Sequence, residues 1–216
     1  MDAGLTLAFT DGSKLDVINA GNASGSHDIS IPASAGAEGI TLTTQNKAPT
    51  GLDFAAGSTV FGVEYHTASD FLVDGLKMSF SVSTDDNSDS GATYASDGHV
   101  GIGATYVSDL GDTAITIGMG YSQTEGSKTG TSPSSDEGGV HFGISAVTGD
   151  LTVAVGFADG DSIESKVAST PNTEVDADIV KAGLKYVTGD LTFNVGITSS
   201  EAQDSETFGT PGTTTD

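Results

Sequence analysis

Asp85, Asn87 and Asp89 have the spacing of the first, third and fifth ligands of a calcium-binding loop. Calcium prefers carboxylate and amide oxygens, so this spacing could support a site for the ion. The sixth position, however, is Ser90 instead of glycine, and the twelfth is Ser96 instead of glutamate. These departures favour a solvated acidic loop over a tight metal site, and they leave loose calcium binding at the acidic loops open.

The other reactive side chains do not form a known catalytic pattern. The four histidines lack the paired spacing of a zinc site, and the chain has no cysteine. Sequences typical of a nucleophile elbow, a dinucleotide-binding loop or a phosphate-binding loop are absent. The formal net charge of -23 argues against nucleic acid, whose phosphates require a basic surface. We therefore predict a protein that is not an enzyme and needs no cofactor.

In the segments that would position these side chains, apolar residues alternate with small or polar residues at a period of two. Residues 140–157 read VHFGISAVTGDLTVAVGF, in which apolar residues alternate with small or polar ones on both sides of a Thr-Gly-Asp link. Successive side chains of a strand point to opposite faces, so the segment predicts an antiparallel hairpin. Similar strand pairs are predicted over 100–121 and 180–197, and another over 59–67 and 75–83.

Short and long connections alternate between these predicted strands. The short turns end at Asp112, Asp150 and Asp190, whereas the segments between hairpins, 84–99, 122–139 and 158–178, are long and polar. Strands of about 9 to 11 residues, joined by short turns on one side and long loops on the other, are typical of a transmembrane β-barrel. A barrel closed in lipid also pairs every backbone group without an edge strand.

The two faces of the predicted strands differ in chemistry. One face carries residues such as Phe80, Ile102 and Leu184, and no charged residue falls on it. The opposite face carries glycine, serine, lysine and histidine, which are expected around an aqueous lumen rather than in a packed core. The candidates for pore-lining residues are Glu64, His66, Lys77, His141, Lys181 and Lys185.

These features resemble the general diffusion porins of Gram-negative outer membranes, particularly the alphaproteobacterial type. The resemblance is carried by stretches such as LKYVTGDLTFNVG, by the acidic loops rich in Gly, Ser and Thr, and by the asymmetric connections, over roughly residues 57–200. It implies a trimeric barrel of about 16 strands in which one long loop folds inward and narrows the pore. It also implies contact with outer-membrane lipid and lipopolysaccharide, and passage of small hydrophilic solutes.

The sequence departs from this family in three respects. We expect about ten to twelve strands, which is fewer than the family has. Residues 199–216 read as a loop, where these porins end in a membrane strand with a terminal aromatic residue. We therefore expect a single porin-like domain over 1–216 that is incomplete at its C-terminal end, with the N-terminal end left open. Because the chain has no arginine, any basic wall must come from Lys77, Lys181 and Lys185.

Residues 19–39 have two interpretations. They could form part of the inward-folded loop, with Asp28 and Glu38 supplying acidic charge, or they could be an ordinary excursion between barrel strands. Short strands are predicted in this part of the chain at 4–9, 14–19, 27–31 and 39–44.

The sequence as a whole predicts an all-β, antiparallel up-and-down transmembrane β-barrel that acts as a passive channel in the bacterial outer membrane. The alternative is an exported soluble β-sandwich, such as an adhesin or a surface-layer module, whose acidic loops bind calcium. The two folds differ in what covers the apolar face. In a sandwich, Phe142, Val153 and Leu184 would meet in a dry interior between two sheets.

Overall fold

The computed structural model describes residues 4–17, 23–32, 62–83, 95–127, 134–165 and 172–208. Within these ranges the chain forms ten strands in one sheet, and each strand pairs with its neighbours in sequence. The strands are β1 Leu5–Ala8, β2 Lys14–Val17, β3 Gly62–His66, β4 Leu76–Ser83, β5 Ala95–Leu110, β6 Thr113–Ser127, β7 Ser134–Thr148, β8 Leu151–Ser165, β9 Asn172–Thr188 and β10 Leu191–Phe208. This order confirms the predicted all-β, up-and-down architecture of a partial barrel.

The short turns form where the sequence predicts them, but they are tighter than the predicted Thr-Gly-Asp link, because Thr148 and Thr188 belong to strands. Two-residue turns join β5 to β6, β7 to β8 and β9 to β10, and each consists of a glycine followed by an aspartate. The glycines Gly111, Gly149 and Gly189 have φ values of 66°, 55° and 57°. A positive φ at the first central residue is the geometry of a hairpin turn whose twist matches that of the strands. The Gly-Asp pairs thereby fix the register of three hairpins.

The predicted long connections contain strand, because residues 95–99, 122–127, 134–139, 158–165 and 172–178 belong to β5 to β9. Residues 199–208 belong to β10 and pair with β9 as far as Phe208 opposite Asn172, so the prediction of a loop over this part of 199–216 was wrong. Pairing of two strands depends on backbone hydrogen bonds, which form with any side chain except proline. Where both faces of a strand contact water, apolar and polar residues no longer alternate, and the sequence gives no signal of the strand. The predicted strand at 27–31 is also wrong, because residues 25–27 form a short 3₁₀ helix and 28–31 are irregular.

One face of the sheet exposes its large apolar side chains. Phe142, Val153 and Leu184 are 44%, 45% and 38% exposed and lie on this outer face, rather than in a dry interior between two sheets. Soluble proteins rarely expose an apolar surface of this extent, whereas a lipid bilayer covers it at no cost. Tyr106 and Tyr186 lie on the same face close to the short turns, where aromatic residues meet the membrane interface. The strands are therefore transmembrane strands.

No helix among the described residues is long and apolar enough to cross a membrane. The only helix within those ranges is the 3₁₀ turn Gly25–His27, which lies against the opposite face of the sheet from the apolar residues.

Candidate functional site

The inner face of the sheet, which is the face opposite the exposed apolar side chains, is polar and rich in glycine. Alternation along each strand places serine, histidine, glycine and lysine here, since the apolar residues occupy the other face. Its buried polar residues include Glu64, His66, Ser79, Ser81, Ser83, His99, Ser122, His141 and Lys181. In a barrel wall, this face lines the lumen.

Residues 23–32, named here the inner segment, cover part of this face. The backbone N–H of Ala23 donates to Oγ of Ser81 on β4 over 3.0 Å. At the other end, the backbone of Pro32 lies directly over Gly183 on β9. The inner segment therefore crosses the inner face from β4 to β9.

The inner segment alternates between the wall and open solvent. His27, Ile29 and Ile31 are buried against the sheet, while Ser26, Asp28 and Ser30 are exposed. Ile29 and Ile31 form a small apolar cluster with Ala154 of β8. Burial of these two isoleucines favours attachment of the segment by the hydrophobic effect, although the surrounding face is polar. The segment then presents a polar edge away from the wall, and the side chain of Asp28, which is 30% exposed, reaches from this edge to His141 of the wall.

The wall has glycine where the inner segment approaches most closely. A Cβ atom added at Gly143 would lie 2.7 Å from Cβ of Ile29, and one at Gly118 would lie 2.9 Å from its Cδ1. Both distances are shorter than the optimum of about 3.5 to 4.0 Å between carbon atoms. The glycines that lie directly under the segment are Gly103 on β5, Gly118 and Gly120 on β6, Gly143 on β7 and Gly183 on β9. These positions allow a second layer of backbone to lie on the sheet.

His27 contacts the wall through both of its ring nitrogens. Its Nδ1 atom lies 2.6 Å from Oγ1 of Thr105, and its Nε2 atom lies 2.8 Å from Oγ of Ser79. The same Ser79 hydroxyl lies 2.8 Å from Nδ1 of His66 on β3. Ser79 thus connects the ring of the inner segment to a ring of the wall.

A cluster of charged side chains surrounds His66 at the β2–β3 side of the wall. Nε2 of His66 lies 3.3 Å from Oδ2 of Asp16 and 3.3 Å from Oε1 of Glu64. Lys14 Nζ lies 3.1 Å from the same oxygen of Asp16, and the hydroxyl of Ser26 donates to Glu64 over 3.3 Å. Asp16 therefore has an ion pair with Lys14 on β2, and both carboxylates accept hydrogen bonds from neighbouring groups.

A second cluster lies under the middle of the inner segment. Nδ1 of His141 lies 3.1 Å from Oδ1 of Asp28, and its Nε2 lies 3.1 Å from the backbone oxygen of Ser24. Lys181 is only 3% exposed, and its ammonium group is attracted by the Asp28 carboxylate. Asp28 therefore joins the inner segment electrostatically to β7 and β9.

The structure gives a position to most of the residues singled out from the sequence. Glu64, His66, His141 and Lys181 are buried on the inner face near the inner segment, and Lys77 and Lys185 are exposed on the same face. Asp28 lies on the inner segment itself. Glu38, Asp85, Asn87 and Asp89 lie outside the described residues.

Sequence reasoning did not identify His27 and Ser79 as partners, or the glycines as a binding surface for the inner segment. A usable signal was present, because Gly103, Gly118, Gly143 and Gly183 occupy inner-face positions on neighbouring strands. Glycine within a strand frequently marks the close approach of another backbone. Glycine repeated on the same face of several strands therefore indicates that another segment of chain lies across the wall.

An acidic depression lies on the outer face beyond the apolar band. Its volume is about 300 Å³, and its lining includes Asp159, Asp161, Asp176, Asp178 and Glu201. Asp159 is paired directly with Asp178, and Asp161 with Asp176. Within the described part of the chain, no three histidine or acidic side chains are arranged to hold a metal ion.

Comparison with known protein families identifies a match. The sequence model of a family described as Gram-negative porin matches residues 5–215. No match was found among curated proteins, and none was found among solved structures.

Proposed function

The chain belongs to the Gram-negative porin family, an outer-membrane channel family, and from this premise we propose that it passes small hydrophilic solutes and ions by passive diffusion. The observation that supports this most is the polarity of the wall. Charged and hydrogen-bonding side chains occupy the inner face, while apolar side chains are exposed on the outer face. For a solute to diffuse through such a lumen, it must bind the wall weakly enough to be released, and no chemical step is needed.

We propose that the inner segment narrows this lumen. It lies on the inner face between β4 and β9, and its exposed edge presents Ser26, Asp28 and Ser30 to the space that solutes would cross. The segment lies within residues 19–39, for which the sequence allowed an inward-folded loop with Asp28 and Glu38. The size of permitted solutes is then set by the distance between this edge and the opposite wall.

We also propose a moderate preference for cations. The net charge of -23 repels anions from the mouth of the channel, while Lys77 and Lys185 are exposed on the inner face and offset part of that field. Lys181 contributes less to this offset, because it is buried and attracted to Asp28.

The likeness to the family extends the proposal to assembly and surroundings. We propose a homotrimer in a membrane that contains lipopolysaccharide, with residues 1–216 contributing a single barrel domain. Loose binding of calcium by acidic loops such as 84–99 remains part of the proposal.

Channel formation is tested in a planar lipid bilayer with the purified chain. We expect discrete conductance steps in potassium chloride, and a reversal potential in a salt gradient whose sign indicates cation preference. An outer-membrane barrel should also migrate differently on a detergent gel before and after heating. The absence of conductance steps would contradict the proposed channel. A clear anion preference would contradict the proposed preference for cations.

Reversing the charge of Lys185 should increase cation preference. The side chain is exposed on the inner face, so Lys185→Glu replaces a positive by a negative charge in the lumen. We expect the cation-to-anion permeability ratio to increase about twofold or more, and the increase to shrink at high salt, since the Debye length falls to about 3 Å at 1 M. Lys185→Arg, which keeps the charge, is the control. An unchanged reversal potential in Lys185→Glu would show that Lys185 does not face the lumen.

A further inference from the structure

The contacts of His27 differ from those of the other groups on the inner segment. Two hydroxyls of the wall, those of Ser79 and Thr105, lie within hydrogen-bonding distance of its two ring nitrogens. The ring is buried and lies directly over Gly103, where an added Cβ would be 3.0 Å from its Cγ atom. The imidazole ring is thus fixed by contacts at both nitrogens and by packing of the ring against Gly103.

We propose that His27 is the positioning residue that holds the inner segment on the wall, and that it does so in its neutral form, so that acid releases the segment and widens the lumen. This inference rests on the proposed channel function and adds the residue that controls the position of its constriction.

The hydrogen bonds around Ser79 assign the proton positions. Nε2 of His66 faces the carboxylates of Asp16 and Glu64, which only accept, so that nitrogen carries a hydrogen. In neutral His66 the Nδ1 atom is then an acceptor, and the Ser79 hydroxyl donates to it.

The same reasoning extends to the inner segment. Because Ser79 has only one hydrogen, its oxygen accepts from Nε2–H of His27. Nδ1 of neutral His27 then accepts from the hydroxyl of Thr105. Both rings are neutral in this arrangement, and each contact in the chain from His66 through Ser79 and His27 to Thr105 has one donor and one acceptor.

The surroundings of His27 oppose its protonation. Burial of the ring is the largest cause, and positive charge on Lys77, and on His66 and His141 whenever those rings are protonated, adds to it. Together these effects lower the pKa of His27 from 6.5 to about 4. The charged and titratable groups that act on the ring are Lys77 on β4, His66 on β3 and His141 on β7. The neighbouring residues of the inner segment meet the others, since Ser26 contacts Glu64 of β3, and Asp28 contacts His141 and attracts Lys181 of β9. From β5 and β6, the ring and backbone of His27 meet Thr105, Gly103 and Gly118, which carry no charge.

The direction of the pH effect follows from these pKa values. In a released segment, His27 would be exposed to water and have its ordinary pKa of about 6.5. Above that pH both states are neutral, and attachment keeps its full strength. As the pH falls from about 6.5 to about 4, protonation favours the released state, and the ratio of attached to released segment falls by on the order of a hundredfold.

Single-channel conductance measured between pH 7.5 and 3.5 tests this inference. We expect the wild-type protein to show a higher-conductance state whose occupancy increases as the pH falls through this window. His27→Gln retains hydrogen-bonding groups and cannot be protonated, so its conductance should stay low throughout. His27→Ala loses both hydrogen bonds and should show the higher-conductance state even at pH 7.5. His99→Gln, on the same inner face but bonded to Thr124 of the wall, is the control and should keep the wild-type transition.

Each other outcome has a defined meaning. A flat wild-type profile, or an acid transition that persists in His27→Gln, would overturn the role of His27 while leaving the channel intact. If His27→Ala matched the wild type at pH 7.5, the residue would not position the segment. Absence of conductance in the wild type would instead refute the proposed function, and the role of His27 with it.

Discussion

Placing an arginine at Val195 should destabilise the folded protein by about 2 to 4 kcal/mol. Val195 lies on the outer face of β10, is 66% exposed, and occupies the middle of the apolar stretch from Leu191 to Ile197. A charge at this depth would contact hydrocarbon, and the cost of arginine at the bilayer midplane is about 2 to 4 kcal/mol in transmembrane barrels. The free energy of unfolding from lipid vesicles, followed by tyrosine fluorescence in urea, measures the effect.

The neighbouring residue supplies a matched control. Asn194 lies on the same strand at nearly the same depth and is also exposed, but it points to the inner face. Asn194→Arg should change the free energy of unfolding by less than about 0.5 kcal/mol, which is usual for a surface substitution. Equal losses in the two variants would mean that both faces meet the same environment, and the assignment of a lipid face would fail.

Much of the fold follows from the sequence because a barrel wall has a simple local rule. The β7–β8 hairpin shows this: period two from Val140 to Phe157 assigns the faces, and the Gly149-Asp150 turn fixes the register. The same rule fails at 199–208, where the chain leaves the apolar band and side-chain alternation no longer reports on backbone pairing. It also fails at 27–31, where His27, Ile29 and Ile31 alternate with polar residues as a strand would.

The error at 27–31 has a physical origin. The inner segment has one face toward the wall and one toward solvent, so it acquires the alternation of a half-buried strand without any backbone ladder. Its partners are side chains and glycines far away in sequence, such as Ser79 and Gly183. Such contacts depend on which strands are brought together, and a single sequence carries no direct record of them.

For the candidate site, the sequence predicts which face of the sheet each residue lies on, but not whether that residue is exposed. Parity along the strands is sufficient to place Lys77, His141 and Lys181 on one face, since it depends only on counting residues. Which of them remain exposed depends on what covers the wall. Lys185 and Lys181 are four residues apart on β9, yet only Lys181 lies buried and attracted to Asp28. Equal contributions to ion selectivity are therefore not expected from the two lysines.

Adding a methyl group at Gly183 should have the largest effect on conductance. Its Cβ would lie 2.8 Å from the carbonyl carbon of Pro32 and 3.1 Å from Cγ2 of Ile31, so the end of the inner segment must move away from the wall. Overpacking of this kind costs about 1 to 3 kcal/mol, which lowers the ratio of attached to displaced segment by about 5- to 150-fold. Single-channel recordings of Gly183→Ala at neutral pH should show altered conductance and more frequent transitions between levels.

Gly196 provides the control because it is the direct cross-strand partner of Gly183 on β10. It lies on the same inner face but is exposed, so Gly196→Ala adds the same methyl group to the same type of backbone without displacing the segment. We expect Gly196→Ala to keep the conductance of the wild type. If Gly183→Ala and Gly196→Ala had the same conductance, the inner segment would not contact β9 in the membrane. The glycines of the wall would then have no role in binding the segment.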